Sequence, residues 1–211
     1  MKAVSVRQLL TTYIPSISIL VGMVSANALF RVSMDTMTRD IAALANIHPL
    51  SGIVSNLGVL LWCATASICA FTAVVFCKSE PNDTFKFLLY SAFLSVYFLF
   101  DDFFLFHEIL ASWYFGLSEK IIFAVLGITV SAYLIIFRRV ILRTNFGILL
   151  MALGFLTTSV GVDTILEPWL SCRLGHWEYF IEDGAKWLGI SSWCSYYVET
   201  CYQFLVEESR L

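Results

Sequence analysis

The sequence predicts an all-α fold: a transmembrane bundle of six helices, with a short amphipathic surface helix after the first. Three observations carry that expectation. Apolar residues make up 59% of the chain, charged residues only 14%, and mean hydropathy is +0.79. Soluble domains carry nearer a quarter charged residues. Several uncharged stretches reach or approach the ~20 residues that a helix needs to cross lipid. Basic and acidic residues also segregate to opposite sets of loops, as in membrane proteins that obey the positive-inside rule. The whole chain, 1–211, is expected to form a single integral membrane domain.

The elements follow in order. No charge lies between Arg7 and Arg31, which places a first span at about 9–30. Lys2, Arg7 and the small-residue run Ala26-Asn27-Ala28 also fit a cleaved signal, 1–28. A retained helix is preferred, because the uncharged run is long for a signal. Residues 33–46 read as the surface helix. Ser33 can cap it, Met34, Met37, Ile41 and Leu44 form a stripe, and Asp35, Arg39 and Asp40 face away from that stripe. His48-Pro49 then breaks the chain.

A second span, 52–77, contains no charge, and the polar turn KSEPNDTFK follows it. The third span is expected over 87–110. GLSEK turns the chain, with Ser118 as a cap, into a fourth span at 120–137. RRVILRTN reads as a basic loop. A fifth span, 146–167, stops at Pro168, and a sixth covers 178–204.

Lys2, Arg7, Lys78, Lys86, Arg138, Arg139, Arg143 and Arg210 fall on one side of this arrangement, which the positive-inside rule makes cytoplasmic. Both termini are then cytoplasmic, in a cell inner (plasma) membrane. Asp35, Asp40, Asp101, Asp102, Glu108, Glu119, Asp163, Glu167, Glu178, Glu182 and Asp183 gather at the other side, together with His48, His107 and His176. Trp113, Tyr114, Trp169 and Trp177 mark the aromatic belt at that boundary.

Length shows why some of these charges must enter the membrane. As a helix, Phe87 to Phe100 spans only about 21 Å, against a hydrocarbon core of about 30 Å. The third span therefore carries Asp101 and Asp102 into its outer third. The uncharged run between Lys186 and Glu199 reaches only about 18 Å, so the sixth span immerses charge too. Each ionised group deep in lipid costs about 2.5–3.5 kcal/mol. Such groups should turn inward and meet one another, lose charge, or hold a cation.

At 100° per residue, Asp101 and Glu108 would share one stripe, flanked by Asp102 and His107. Glu178, Glu182 and Lys186 form a second stripe. Asp163 and Glu167 form a third, with Thr157, Thr158 and Ser159 deeper in. Glu119 and Lys120 open the fourth span at the same level. The expected binding cluster is thus Asp101, Asp102, His107, Glu108, Glu119, Lys120, Asp163, Glu167, Glu182, Asp183 and Lys186.

Three roles stay open for it. The charges could simply lock helices together, with Asp101 and Asp102 pairing with Lys186 and Lys120. They could bind a cation or polar ligand, or relay protons. Or Asp101, His107, Glu108 and Glu182 could hold a divalent metal, since carboxylate and imidazole suit zinc, iron or manganese. In that last case a lipid hydrolase becomes conceivable, with Glu108 or Glu182 as base. Glu167, His48 and His176 are further candidate ligands. At helical spacing Asp101 and His107 lie about 120° apart, so one metal would need ligands from other helices.

Net charge is only −3 and no basic stripe occurs, which excludes nucleic acid as an expected partner. The lipid bilayer is the expected partner, with a membrane protein or a second copy of the chain as a further candidate. Six cysteines occur without a CxxC pair, so no disulfide framework is expected.

SGIVSNLGVLLW at 51–62, LFDDFFLFHE at 99–108, LSEK at 117–120 and EDGAKWLGI at 182–190 together resemble an uncharacterised multi-pass family from bacteria. That resemblance implies the fold and no activity. Ser55-Asn56 and the Leu99–Asp102 segment are more faintly similar to the alkaline ceramidase class of membrane hydrolases. The zinc-binding SxxxH and HxxxH segments of that class have no counterpart here, so the resemblance implies no zinc chemistry.

Overall fold

The computed structural model describes residues 6–38, 41–48, 50–77, 83–166, 173 and 177–209. Regular structure among them is helical, with no strand. The chain divides into two compact units, Met1–Ser51 and Gly52–Leu211.

In the first unit, α1 (Val6–Phe30) ends where Arg31 takes a left-handed backbone, φ 55°. Asn27 holds that end twice. Its carbonyl accepts the Arg31 N–H at 3.0 Å, and its side-chain amide donates to the Val32 carbonyl at 2.7 Å. The expected surface helix is described as two short pieces, α2 (Met34–Thr38) and α3 (Ile41–Ala45). Arg39, Asp40 and Pro49 lie outside the described residues. Ser33 precedes α2 as expected, but its hydroxyl meets the Thr36 hydroxyl at 2.7 Å. Hydrogen bonding to Ser33 also holds the Asp35 carboxyl below its usual pKa.

The second unit contains α4 (Ile53–Phe76), α5 (Asp83–Phe104), a π-helical turn (Phe106–Leu110), α6 (Ala111–Phe115), α7 (Glu119–Ile136), α8 (Arg138–Ile141), α9 (Phe146–Gly161) and α10 (Trp177–Glu208). A second π-helical turn, Val162–Leu166, extends α9. Among the described residues, four helices are long and apolar enough to cross a membrane: Ile53–Phe76, Asp83–Phe104, Glu119–Ile136 and Phe146–Leu166. The expected count of six is not reached on that measure; α10 is long, but its polar residues keep it out. Isoleucines and aromatics stand exposed along these helices (Phe71 66%, Ile128 70%, Ile136 69%), which suits lipid and not water.

Three sequence expectations change here. The third span is not one helix over 87–110. It starts at Asp83 and breaks at Leu105, whose φ of 50° is left-handed. The basic loop RRVILRTN contains the helix α8. Ser118 precedes α7, but its side chain makes no capping bond.

Packing centres on α4, α5, α9 and α10. Trp62, Phe87, Leu88, Leu149, Trp193 and Tyr197 are almost fully buried among them. The aromatic rings interlock: Trp62 stacks on Phe98 at 4.7 Å and meets Trp193 edge-on at 5.8 Å. Buried hydroxyls are satisfied in series. Ser91 donates to the Phe87 carbonyl at 2.6 Å, so it must accept from the Tyr133 hydroxyl at 2.7 Å. Tyr133 in turn accepts from Tyr197 at 2.8 Å.

Helix contacts in lipid rely on close approach, because lipid tails are as apolar as leucine. Gly189 on α10 supplies one such contact. A Cβ there would lie 2.7 Å from Leu156 Cγ and 3.0 Å from the Leu156 backbone nitrogen on α9. Backbone cannot step aside as a side chain can. Gly189→Ala should therefore destabilise by about 1–3 kcal/mol, read as a lower unfolding midpoint in neutral detergent. Gly184→Ala is the control, since nothing lies within 4 Å of its added Cβ; it should be neutral or slightly stabilising. Equal effects from both variants would refute the close-approach argument.

α7 packs differently. Only Ile122 and Tyr133 are buried along it. Two hollows adjoin it: a groove bounded by α5, α7 and α8, and a cavity bounded by α4, α5, the first π-helical turn, α7, α9 with its π-helical extension, and α10.

Candidate functional site

The site grows from the break at Leu105. A leucine at φ 50° costs about 1–2 kcal/mol that a glycine would not. The chain is held there by Asp101, one turn back on α5. Asp101 Oδ1 accepts the His107 backbone N–H at 3.2 Å, and Oδ2 is hydrogen-bonded to His107 Nδ1 at 2.8 Å. In the tautomer that carries its proton on Nδ1, His107 donates to the carboxylate. Both residues are buried, at 6% and 8% exposure. His107 also lies 5.0 Å from the Phe123 ring of α7, and its Nε2 is 4.0 Å from Glu119 Oε1.

Asp102 points a different way. Its Oδ2 accepts the Trp62 indole N–H from α4 at 2.7 Å, and its Oδ1 pairs with Lys186 Nζ of α10 at 2.8 Å. One carboxylate thus ties three helices together. Adjacent residues on a helix differ by 100°, which lets neighbouring aspartates serve separate partners.

A cavity of about 420 Å³ opens beside both. Its polar end carries Asp101, Asp102, His107, Asp163, Glu182 and Lys186. Phe98, Leu126, Val130, Leu153 and Leu156 form its apolar wall, with Ser131, Thr157 and Ser159 set among them. Asp163 is half-buried on the second π-helical turn, and no hydrogen bond or ion pair to another described residue engages it. The cavity is acidic at one end and oily along its length, so it suits a molecule with a cationic or strongly polar end.

A family model for a domain of unknown function, DUF8692, matches residues 16–200. The chain belongs to the DUF8692 family. No curated protein and no solved structure matches it, and no comparison supports the ceramidase likeness.

In this DUF8692 chain the structure brings together Asp101, Asp102, His107, Asp163, Glu182 and Lys186 on one cavity, with Glu119 at its edge. Lys120 and Asp183 are exposed and do not line it. Glu167 and His176 fall outside the described residues, as do the side chains of Glu108 and Glu178. His48 belongs to the first unit, where its Nδ1 accepts the Leu50 N–H at 3.2 Å. The five described cysteines are free thiols.

The metal expectation gains no support. Among the described residues no group of three or more His, Cys, Asp and Glu side chains could hold an ion. Asp101 and His107 bond directly to each other. The separation of about 120° assumed a continuous helix, and the break at Leu105 removed that premise.

Sequence reasoning missed Trp62. A signal existed: a tryptophan well inside an uncharged span must find an acceptor for its N–H. Trp193 obeys the same rule, donating to Ser95 Oγ at 3.1 Å.

Proposed function

We propose that this chain is a multi-pass integral membrane protein of the cell inner membrane that binds a small amphipathic ligand by its cationic or polar end. The six-span arrangement with cytoplasmic termini remains part of this reading. So does a ligand site built on Asp163 and Glu182, supported by the Asp101–His107 and Asp102–Lys186 pairs. The observation that carries it is Asp163: a half-buried carboxylate on the cavity wall that no described residue engages. Ionisable groups at membrane depth are expensive and mark functional sites by default. An organic cation would offset that charge while its alkyl part lies along Phe98, Leu126 and Leu153.

The probe is a pair of chain-matched amphiphiles, octylammonium and octyl sulfate, added to the purified full chain in neutral detergent. Octylammonium should bind and raise the unfolding midpoint, whereas octyl sulfate should not. Asp163→Asn should weaken octylammonium binding about tenfold while the protein stays folded. Equal binding of both amphiphiles, or no effect of Asp163→Asn, would refute the reading.

A second reading has its own observation. Asp102 is fully engaged by Trp62 and Lys186, as a charge kept to lock helices together would be. That reading makes the chain a structural or assembly subunit, and no amphiphile should then bind. A metal-dependent hydrolase has no supporting observation among the described residues, where no group of three or more His, Cys, Asp and Glu side chains is placed to hold an ion.

A further inference from the structure

The second hollow lies at the opposite end of α5 from Asp101. It is a groove of about 810 Å³ between α5 and the α7–α8 segment. Tyr90, Phe93 and Tyr97 line one wall, at helical spacing on one face of α5. Val125, Ile128 and Ile136 line the other, and most of these side chains are more than half exposed. Charge is confined to one end. Lys86 and Arg139 stand there with a single carboxylate, Asp83, which leaves an excess of positive charge. No described residue forms a salt bridge with Lys86 or Arg139.

The dimensions match half a bilayer. Lys86 to Tyr97 covers roughly 16 Å along α5, close to one leaflet of a hydrocarbon core about 30 Å thick. A lipid lying in that leaflet has the same profile, charged at the end and apolar below. We propose that this groove is a binding site for an anionic phospholipid. Its phosphate sits between Lys86 and Arg139, and an acyl chain lies against Tyr90, Phe93 and Ile128. A zwitterionic lipid gains less, because its own ammonium offsets the attraction that the excess cation supplies. The proposal is independent of the acidic cavity and does not depend on what binds there.

The test uses the full chain in bilayers of equimolar phosphatidylglycerol and phosphatidylcholine. The protein is released gently, and retained lipid is measured by native mass spectrometry. Phosphatidylglycerol should be retained at least tenfold over phosphatidylcholine. Lys86→Gln and Arg139→Gln should each reduce that preference about fivefold, with phosphatidylcholine retention unchanged. Equal retention of the two lipids by the wild-type chain overturns the proposal without needing any variant. So does an undiminished preference in both variants. Displacement of the lipid by excess inorganic phosphate would identify a free-phosphate site and overturn it as well.

Discussion

Asp102→Ala should cost on the order of 3 kcal/mol, the range for breaking a largely buried ion pair by removing one partner. The substitution takes from Lys186 its 2.8 Å partner and from the Trp62 indole its 2.7 Å acceptor. Neither loss can be made good by lipid. The double variant Asp102→Leu/Lys186→Met should recover most of the stability, because it removes both charges and leaves volume behind. The double-mutant cycle, measured by unfolding in neutral detergent, reads the coupling directly. A loss below about 0.5 kcal/mol for Asp102→Ala would mean that the pair behaves like a solvent-exposed one.

Asp101→Ala should have an effect of similar size and a different location. Hydrogen bonds to a charged group contribute about 1.5–3 kcal/mol each, and Asp101 makes two to His107. They hold the turn at Leu105 closed against its strained backbone. Without them, amide exchange should speed up through 105–115 while α9 and α10 keep their protection. Asp101→Asn should fall between wild type and alanine, since its one oxygen cannot replace both carboxylate contacts. Leu105→Gly in the Asp101→Ala background should restore about 1 kcal/mol by relieving the left-handed leucine. Protection unchanged across 105–115 in Asp101→Ala would show that the turn is held by other contacts.

The burial of Asp101 and Asp102 inside the protein was legible in the sequence. Phe87 to Phe100 is too short a run to finish a crossing, so Asp101 and Asp102 had to be buried with partners. Asp102 meets Lys186, the cation that the sixth expected span also could not leave in water. The partner of Asp101 was not legible. Helical spacing through 110 separated it from His107, and no residue type in LFDDFFLFHE announces a left-handed leucine. Asp163 was identified as a polar-stripe residue, but its place facing a cavity depends on how α7 and α9 leave space between them.

By itself, the sequence determined that the chain is helical, built for lipid, and obliged to bury acidic and basic groups at one end of its helices. Those properties follow from composition and from a fixed rise per residue, which convert directly into position along a helix axis. Tertiary structure alone decided that Asp101 bonds His107 within one turn, that Trp62 and Lys186 share Asp102, and that hollows of unlike polarity adjoin α7. Rotation about the helix axis and the spacing between helices are set by side-chain contact across the bundle, and a single positive φ at Leu105 is enough to redirect every residue after it.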